Sequence, residues 1–505
     1  MRGATTSRES SLAGRYAVVI GGGITGLSTA LVLSRRGARV TLLERDAEPT
    51  VSSASQAFLA WQRNGAPQVR HSHVFLGRLR NLLRDYYPDL LGALLQAGAR
   101  ELRGTERPPA ALEDLKPEPG DDDLVILGCR RTTFEWVLRE QALAGGGVAV
   151  ISGANVRGLV ATRTDPPVVA GVRYAVDGVE REFLGHLVVD ASGRRSAAPA
   201  WLEALGARPI HEEQESSGVV YYTRFYRLLP GAAEPPPNHH PTAGDFNWVK
   251  YAVFPADAGT FSVTLAVPLA VQRLKVLAQA PAFDEMVRAI PGIAPWVSPD
   301  LSEPIGDLKH PVQAMGGLVN RLRRFIDARG PLALRFFVLG DAAYCTNPLY
   351  GRGCSQGFLH ADMLGEALAA HPDDLGAAAV ALDRRARAEI EPFYRASILA
   401  DRDAVRRAEE RKPRRWQARV RQEFFERGVM VAMRCDPVVF RAMLRMMNML
   451  ETPEQAFGSP RVVARTLLVL ARGERYNRRY ALPPPPEREA TIARCEAAVA
   501  SGTVA

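Results

Sequence analysis

Residues Tyr16 to Asp46, YAVVIGGGITGLSTALVLSRRGARVTLLERD, constrain the fold more than any other stretch of the chain. Tyr16 to Ile20 is a short apolar run of strand type, and Gly21, Gly23 and Gly26 then spell G-x-G-x-x-G. Apolar Leu27, Ala30, Leu31 and Leu33 give the next segment a helical pattern, and Val40 to Leu43 read as a second strand that delivers Glu44. Strand, glycine turn, helix, strand and terminal acid together form a βαβ dinucleotide-binding fingerprint, where a lone glycine cluster would be weak. Gly21 permits the tight turn, Gly23 lets the backbone approach a pyrophosphate, and Gly26 lets helix pack on strand. The bare start of the helix, at Ile24 and Thr25, holds phosphate with its N–H groups and dipole. Glu44, followed by Arg45, lies about 20 residues past the turn, where a carboxylate accepts hydrogen bonds from a ribose diol. The fingerprint alone does not separate FAD from NAD.

The chain has 505 residues, enough for two or three domains, and its hydrophobic share of 47% is that of a globular enzyme. A net charge of +9 reads first as a solvated, arginine-rich surface; an anionic cofactor, an acidic carrier protein or a membrane surface are the alternatives. No motif for nucleic-acid binding accompanies the charge, so nucleic acid is not an expected partner. Cys129, Cys345, Cys354, Cys435 and Cys495 are scattered and form no C-x-x-C, which argues against a disulfide framework or a zinc site. The first fifteen residues lack a signal-peptide apolar core, and no run of 18 apolar residues exists. A cytoplasmic protein with no stable membrane insertion is therefore expected.

The pattern predicts an α/β chain: a Rossmann-like dinucleotide-binding domain, an antiparallel-sheet domain and a helical C-terminal region. The boundaries read from it are 15–215, interrupted and resumed at 331–375, for the first domain, and 216–330 for the second. A helical region at 376–475 and a tail at 476–505 follow. Val219 to Leu228, Tyr251 to Pro255 and Phe261 to Pro268 alternate with period two. Phe336 to Leu339 returns to the buried-strand pattern. Asp436 and Pro437 look like the cap and first turn of a helix with a polar stripe at Arg441, Arg445 and Asn448. Its Met443, Met446, Met447 and Met449 are core residues by default, or the wall of a lipophilic channel. The tail beyond Pro483 to Pro486 is expected to be loosely held.

Three distant segments belong together: residues 21 to 46, Asp190-Ala-Ser-Gly193-Arg-Arg, and GDAAYCTNPLYGRG from Gly340 to Gly353. On these the chain resembles the FAD-dependent monooxygenases of the p-hydroxybenzoate-hydroxylase fold, with D-A-S-G where that family has a D-G motif. It is most similar to bacterial flavin monooxygenases and epoxidases of polyketide and polyether pathways. GAPQVRHSH (65 to 73), CRRTTFEWVLREQAL (129 to 143), DASGRRSAAPAWLEALG (190 to 206) and YYTRFYR (221 to 227) also carry that likeness. The resemblance spans roughly residues 15 to 470.

The resemblance implies an FAD cofactor. Asp341, after Gly340, would bond a ribityl hydroxyl, and Arg131 would touch the cofactor, with Arg130 as its rival. Gly351, Arg352, Gly353 and Cys354 would bring N–H groups to the flavin pyrimidine edge. Arg70, Val156 and Asp190 are further candidate cofactor contacts. Pro348 and Gly351 are the candidate catalytic positions on the flavin side, and no protein acid or base is assigned. His71 and His73 lack a third ligand, so no metal is expected. The implied activity is insertion of one atom of O2, through a flavin C4a-hydroperoxide, into a small lipophilic substrate of polyketide type. Residues 215 to 330 hold no privileged base, which tilts the reading to alkene epoxidation over aromatic hydroxylation. A reductase of the geranylgeranyl-reductase type ranks next, on the partial match Trp248 to Pro255. A halogenase ranks last, because no lysine lies between residues 47 and 115 and W-x-W-x-I-P is absent. With no second G-x-G-x-x-G, electrons come either from NAD(P)H or from a separate flavin reductase.

Overall fold

A computed structural model describes residues 11–162, 164–236, 240–307, 309–409 and 416–502. Strand β1 (Tyr16–Ile20) leads through the glycine turn into helix α1 (Ile24–Arg35), and β2 (Arg39–Leu43) returns parallel beside β1. Helix α2 (Arg131–Ala144) precedes β3 (Val148–Ile151), which extends the sheet beyond β2. On the other side β4 (Leu187–Asp190) pairs with β1, and the strand Phe336–Val338 closes the edge, all parallel. A parallel sheet covered on both faces calls for continuous apolar strands, and Ala17, Val18, Val19, Leu187, Val188 and Val189 are all buried. The mixed α/β architecture expected from the sequence is the architecture observed.

The second large sheet is antiparallel. Strand β5 (Val219–Leu228), β6 (Lys250–Pro255) and β7 (Thr260–Pro268) form it with β7 in the middle. Ser302–Ile305 and Gln313–Met315 pair with the far edge of β5. Successive side chains on a strand point to opposite faces, and the composition divides accordingly. Tyr222, Tyr226, Tyr251, Val253, Phe261, Val263 and Leu265 face a core shared with Phe283, Met286 and Val287 of the helix Ala280–Arg288. The intervening Thr223, Ser262 and Thr264 face the other way, toward the loop at residues 71 to 73. A third, small sheet joins His211–Ser216 to Val319–Arg324 and Tyr344–Cys345. HEEQES is polar on both faces, so its sequence carries no strand signal.

Helix α3 (Arg352–Ala370) packs along α1, where a Cβ on Gly365 would press on Val32 and Arg36. Then come α4 (Glu391–Ala408), α5 (Pro437–Met447), α6 (Pro460–Ala471) and α7 (Arg488–Gly502). Asp436 caps α5 by accepting from the N–H groups of Val438 and Val439. Arg441 does not lie on a wetted stripe: it is buried and clasps Asp121 at 2.7 and 2.8 Å. Met443 packs among Val439, Ala432, Val462 and Val469, and Met447 is exposed. Met443 and Met446 belong to that local core, and Met449 packs with Leu76 and Phe393. The chain end also differs from expectation. Ile492, Cys495 and Val499, at i, i+3 and i+7, seat α7 on the core beneath the antiparallel sheet. Among the described residues no helix is long and apolar enough to cross a membrane, and no His/Cys/Asp/Glu group could hold a metal ion.

Candidate active site

A cleft opens at the glycine turn, with about 1660 Å³ of open space including its solvent-facing mouth. Gly21 has φ +97°, and a Cβ there would meet Ala191 O at 2.9 Å, so only glycine makes this turn. A Cβ on Gly26 would overlap Gly21 O, which is the close helix–strand approach its position predicts. At Gly23 the nearest atom is Arg131 Nη2 at 4.0 Å, so this backbone faces open cleft. Helix α1 starts there without a side-chain cap or an acid in its first turn. Its leading N–H groups and positive dipole end are left for an anion.

Behind the turn a buried ion network braces the site. Glu44 Oε2 accepts from Gly22 N at 2.8 Å, and Glu44 Oε1 accepts from Asp46 N at 2.9 Å. Arg63, 2% exposed at its side chain, reaches Glu44 at 3.2 Å, Asp46 at 2.7 Å and Glu135 at 2.7 Å, and donates to Gly22 O. Burial works against the Arg63 charge, but Glu135, Glu44 and Asp46 outweigh it and hold the guanidinium protonated. Glu135 in turn accepts from Arg131 Nε at 3.2 Å. Arg131 thus reaches from the Gly23 turn to Cys354, whose Sγ lies 4.0 Å from Nη1. Its neighbour Arg130 turns away and pairs with buried Asp257.

The far end of the cleft is a second bare helix start. Gly351, at φ +64°, caps α3, which also lacks a side-chain cap and a first-turn acid. The preceding loop is anchored from outside the parallel-sheet region. Buried Asp401 on α4 accepts from Asn320 Nδ2 and Asn347 Nδ2 at 2.7 Å each and from Tyr350 Oη at 3.2 Å. Asn347 N donates to Asn320 Oδ1 at 2.8 Å, and Asn347 Oδ1 accepts from Tyr221 Oη and Leu349 N. Burial raises the Asp401 carboxyl above its usual range. Asp341 lines the cleft and accepts no hydrogen bond from any described residue; burial raises its carboxyl, against the pull of Arg194, Arg131 and Arg321.

On the side toward the antiparallel sheet His71 and Ser72 line the cleft, and a chain of buried hydroxyls runs behind them. His71 Nδ1 lies 3.0 Å from Thr223 Oγ1, which lies 2.9 Å from Thr264 Oγ1. Ser72 Oγ stands 2.6 Å from both Thr264 Oγ1 and Ser262 Oγ. Burial, with Arg194 nearby, pushes the His71 imidazole down to about 4, and burial with Arg131 pushes His73 to about 3. Both rings are neutral at neutral pH.

Of the residues singled out in the sequence, Gly21, Gly23, Ile24, Thr25, Glu44, Arg45, Arg131, Val156, Asp341, Pro348, Gly351, Gly353 and Cys354 line this cleft. Five lie behind it. Gly26 packs on the turn, and Gly340, at φ +58°, leaves room for Thr25. Asp190 is buried and accepts from Ser192 N at 2.9 Å and from Ser196 Oγ. Arg70 donates to Phe58 O, and Arg352 donates to Phe393 O and Ser397 Oγ, both at 2.8 Å. Arg63, Glu135, Arg194, Trp201, Met315 and Thr346 join the site without having been assigned to it from the sequence.

Residues 17–179 match the protein family described as FAD dependent oxidoreductase (DAO). The chain is 26% identical over 478 residues to Protein Rv3254 of Mycobacterium tuberculosis, covering 86% of this chain and 90% of that one. It is 27% identical over 413 residues to kynurenine 3-monooxygenase of Xanthomonas campestris pv. campestris, covering 77% and 80%. Among solved structures, the myxobacterial chondrochloren halogenase CndH superimposes with a TM-score of 0.57 at 17% identity, over 90% of this chain and 97% of that one. The family match, with these relatives, supports an enzyme that uses FAD. It is an oxidoreductase, and its homologues include flavin-dependent monooxygenases.

Proposed function

We propose that this enzyme inserts one atom of O2 into a small lipophilic substrate of polyketide type, by epoxidation of an alkene. The observation that carries the reading is the pair of bare helix starts, α1 and α3, that open on one cleft with Arg131 reaching between them. FAD fits this donor set. Ile24, Thr25 and Arg131 would hold the diphosphate, and Glu44 with Arg45 the adenosine ribose, with Val156 as an apolar wall. Asp341, an acceptor with no donor among the described residues, would take the ribityl hydroxyls. Gly351, Gly353 and Cys354 would offer N–H groups to the pyrimidine edge, and Pro348 would cover the reacting side of the ring. Gly26, Arg70, Asp190, Gly340 and Arg352 would act from behind, shaping the turns that these contacts occupy. On this reading residues 15–215 and 331–375 hold the cofactor, 216–330 wall the substrate, and 376–475 brace the loop before α3.

Bound there, reduced FAD supplies the activation of O2. The chain's share is to bind, orient and keep water out. The positive end of α3 favours negative charge at the pyrimidine edge. Electrons would come from NAD(P)H or a separate flavin reductase. Five free cysteines support a reducing, cytoplasmic setting. Epoxidation asks no proton transfer of the protein, and the cleft's two imidazoles are both held neutral and weakly basic. Aromatic hydroxylation is the second reading, favoured by one observation: His71 stands on the cleft wall, already bonded to Thr223, where it could take a phenolic proton. Among the described residues no lysine lines the cleft, which speaks against halogenation.

The test is turnover under labelled O2 with FAD, NAD(P)H and an added flavin reductase, followed by mass spectrometry of candidate polyenes and aromatics. One labelled atom in an epoxide is expected. One labelled atom in a phenol replaces the reading with the second. Chlorination, or double-bond saturation without oxygen uptake, overturns both.

A further inference from the structure

The segment 460–480, PRVVARTLLVLARGERYNRRY, holds six arginines and a single acid, Glu474. Helix α6 buries Val462, Thr466 and Val469, and these fix which of its faces is outward. Arg461, Arg465, Leu468 and Arg472 follow one another on the outer face at i, i+4, i+7 and i+11. Leu467 and Leu468 are 52% and 54% exposed, although both are large apolar side chains. Tyr476 and Leu482, just beyond the helix, are also exposed. Arg479 lies 3.7 Å above the Tyr476 ring centre, and Arg472 lies 5.7 Å from it. Arg465 stands 3.8 Å from Asp436. Among the described residues no carboxylate pairs with Arg461, Arg472, Arg475, Arg478 or Arg479.

We propose that this face docks the enzyme on the anionic surface of a lipid bilayer. Unpaired guanidinium groups call for a polyanion, and the exposed leucines among and beside them call for an apolar phase. A nucleic acid would satisfy the arginines and leave Leu467 and Leu468 in water. A purely apolar partner would strand the cations. An anionic lipid interface answers both: headgroup phosphates meet the arginines, and the leucines and Tyr476 enter the headgroup–acyl boundary. The docking is peripheral, because no described helix can span the bilayer. It is independent of the cofactor and of the oxygenation reading, so either can fail alone.

Flotation of the full-length protein with two vesicle populations tests the proposal: phosphatidylcholine alone, and phosphatidylcholine mixed with phosphatidylglycerol. Binding is expected only to the mixed vesicles and should weaken steeply as salt is raised. The double variant Leu467→Ser, Leu468→Ser should bind about tenfold less without changing the salt dependence. The double variant Arg472→Gln, Arg475→Gln should bind about tenfold less and flatten the salt dependence. All four side chains are solvent-facing, so folding, checked by circular dichroism, should be unaffected. Equal binding to both vesicle types, or no binding to either, overturns the proposal. So does a concentration-dependent dimer in sedimentation that the leucine variant dissolves, since the face would then belong to a second copy of the chain.

Discussion

The two ends of the cleft are built by different means. The α1 end comes from one continuous stretch, residues 16 to 46, in which Gly21 and Gly26 answer local steric demands and Gly23 opens onto the cleft. The α3 end comes from residues scattered over the chain: Tyr221 on β5, Asn320, Asn347 in the loop and Asp401 on α4. Both ends present an uncapped helix start. The first takes its shape from the backbone of the turn, with an ion network bracing it from behind, and the second from a neutral-amide and carboxylate network around Asp401, so they should fail differently when altered.

The largest effect should come from the brace that serves the α1 end. Arg63→Ala would take the shared cation from Glu44, Asp46 and Glu135, of which only Glu135 keeps another ion pair among the described residues, with Arg131. Breaking such a cluster costs about 3–5 kcal/mol, and denaturant unfolding should show that loss. A loss under about 1 kcal/mol would mean that the acids simply protonate, a route burial already favours for Asp46.

Gly23→Val comes next, and it should strike binding in preference to stability. Its side chain would project into open cleft and touch nothing closer than Arg131. FAD affinity, read by fluorescence titration, should fall about 100-fold, or about 3 kcal/mol, while the apoprotein's melting temperature stays near wild type. A variant that keeps its FAD would remove the diphosphate from the α1 turn.

Asp401→Ala probes the other mode. It strands the buried Asn320 and Asn347 side-chain donors and frees the half-buried Tyr350 hydroxyl, which should cost about 2 kcal/mol of stability. FAD affinity and the flavin's reduction potential should shift as well, because the loop before α3 loses its anchor. Lost stability with both flavin properties unchanged would show that the loop is held in place by other contacts.

The smallest expected effect is acid sensitivity at the hydroxyl wall. The His71 pKa is about 4 when folded and about 6.5 when unfolded. Between those values the unfolded chain binds the proton and the folded one does not, so stability falls as pH drops through the window. Lowering pH from 6.5 to 5.5 should cost wild type about 1 kcal/mol more than His71→Asn. Parallel losses in the two proteins would place the titration elsewhere.

The same contrast explains what the sequence revealed. The βαβ turn was legible because its requirements fall within thirty-one consecutive residues, from Tyr16 to Asp46. The strand β7 was legible because Phe261, Val263 and Leu265 alternate with Ser262 and Thr264, and β5 because it is rich in β-branched and aromatic residues although both its faces carry apolar side chains. Asp401 was not, since one carboxylate inside a helix looks like any solvated acid until its partners are brought to it. Arg63 lies just before the quoted segment 65 to 73, and its role depends on Glu135 reaching it from α2. The strand His211–Ser216 was missed because its side chains are polar on both faces and only pairing reveals it. The docked α7 shows the converse error: three apolar residues at helical spacing outweigh the proline run that precedes them.

One feature of the parallel sheet bears on how the protein is made. Its edge strand, Phe336–Val338, pairs with β4, and Phe336 sits opposite Val188. The whole antiparallel sheet is inserted between these partners. On the ribosome, β4 must therefore wait with one edge unpaired until the insertion has been synthesised. Such an open apolar edge invites wrong partners. The insertion must either fold by itself first or shield that edge, and slow translation between residues 190 and 336 should raise the aggregated fraction.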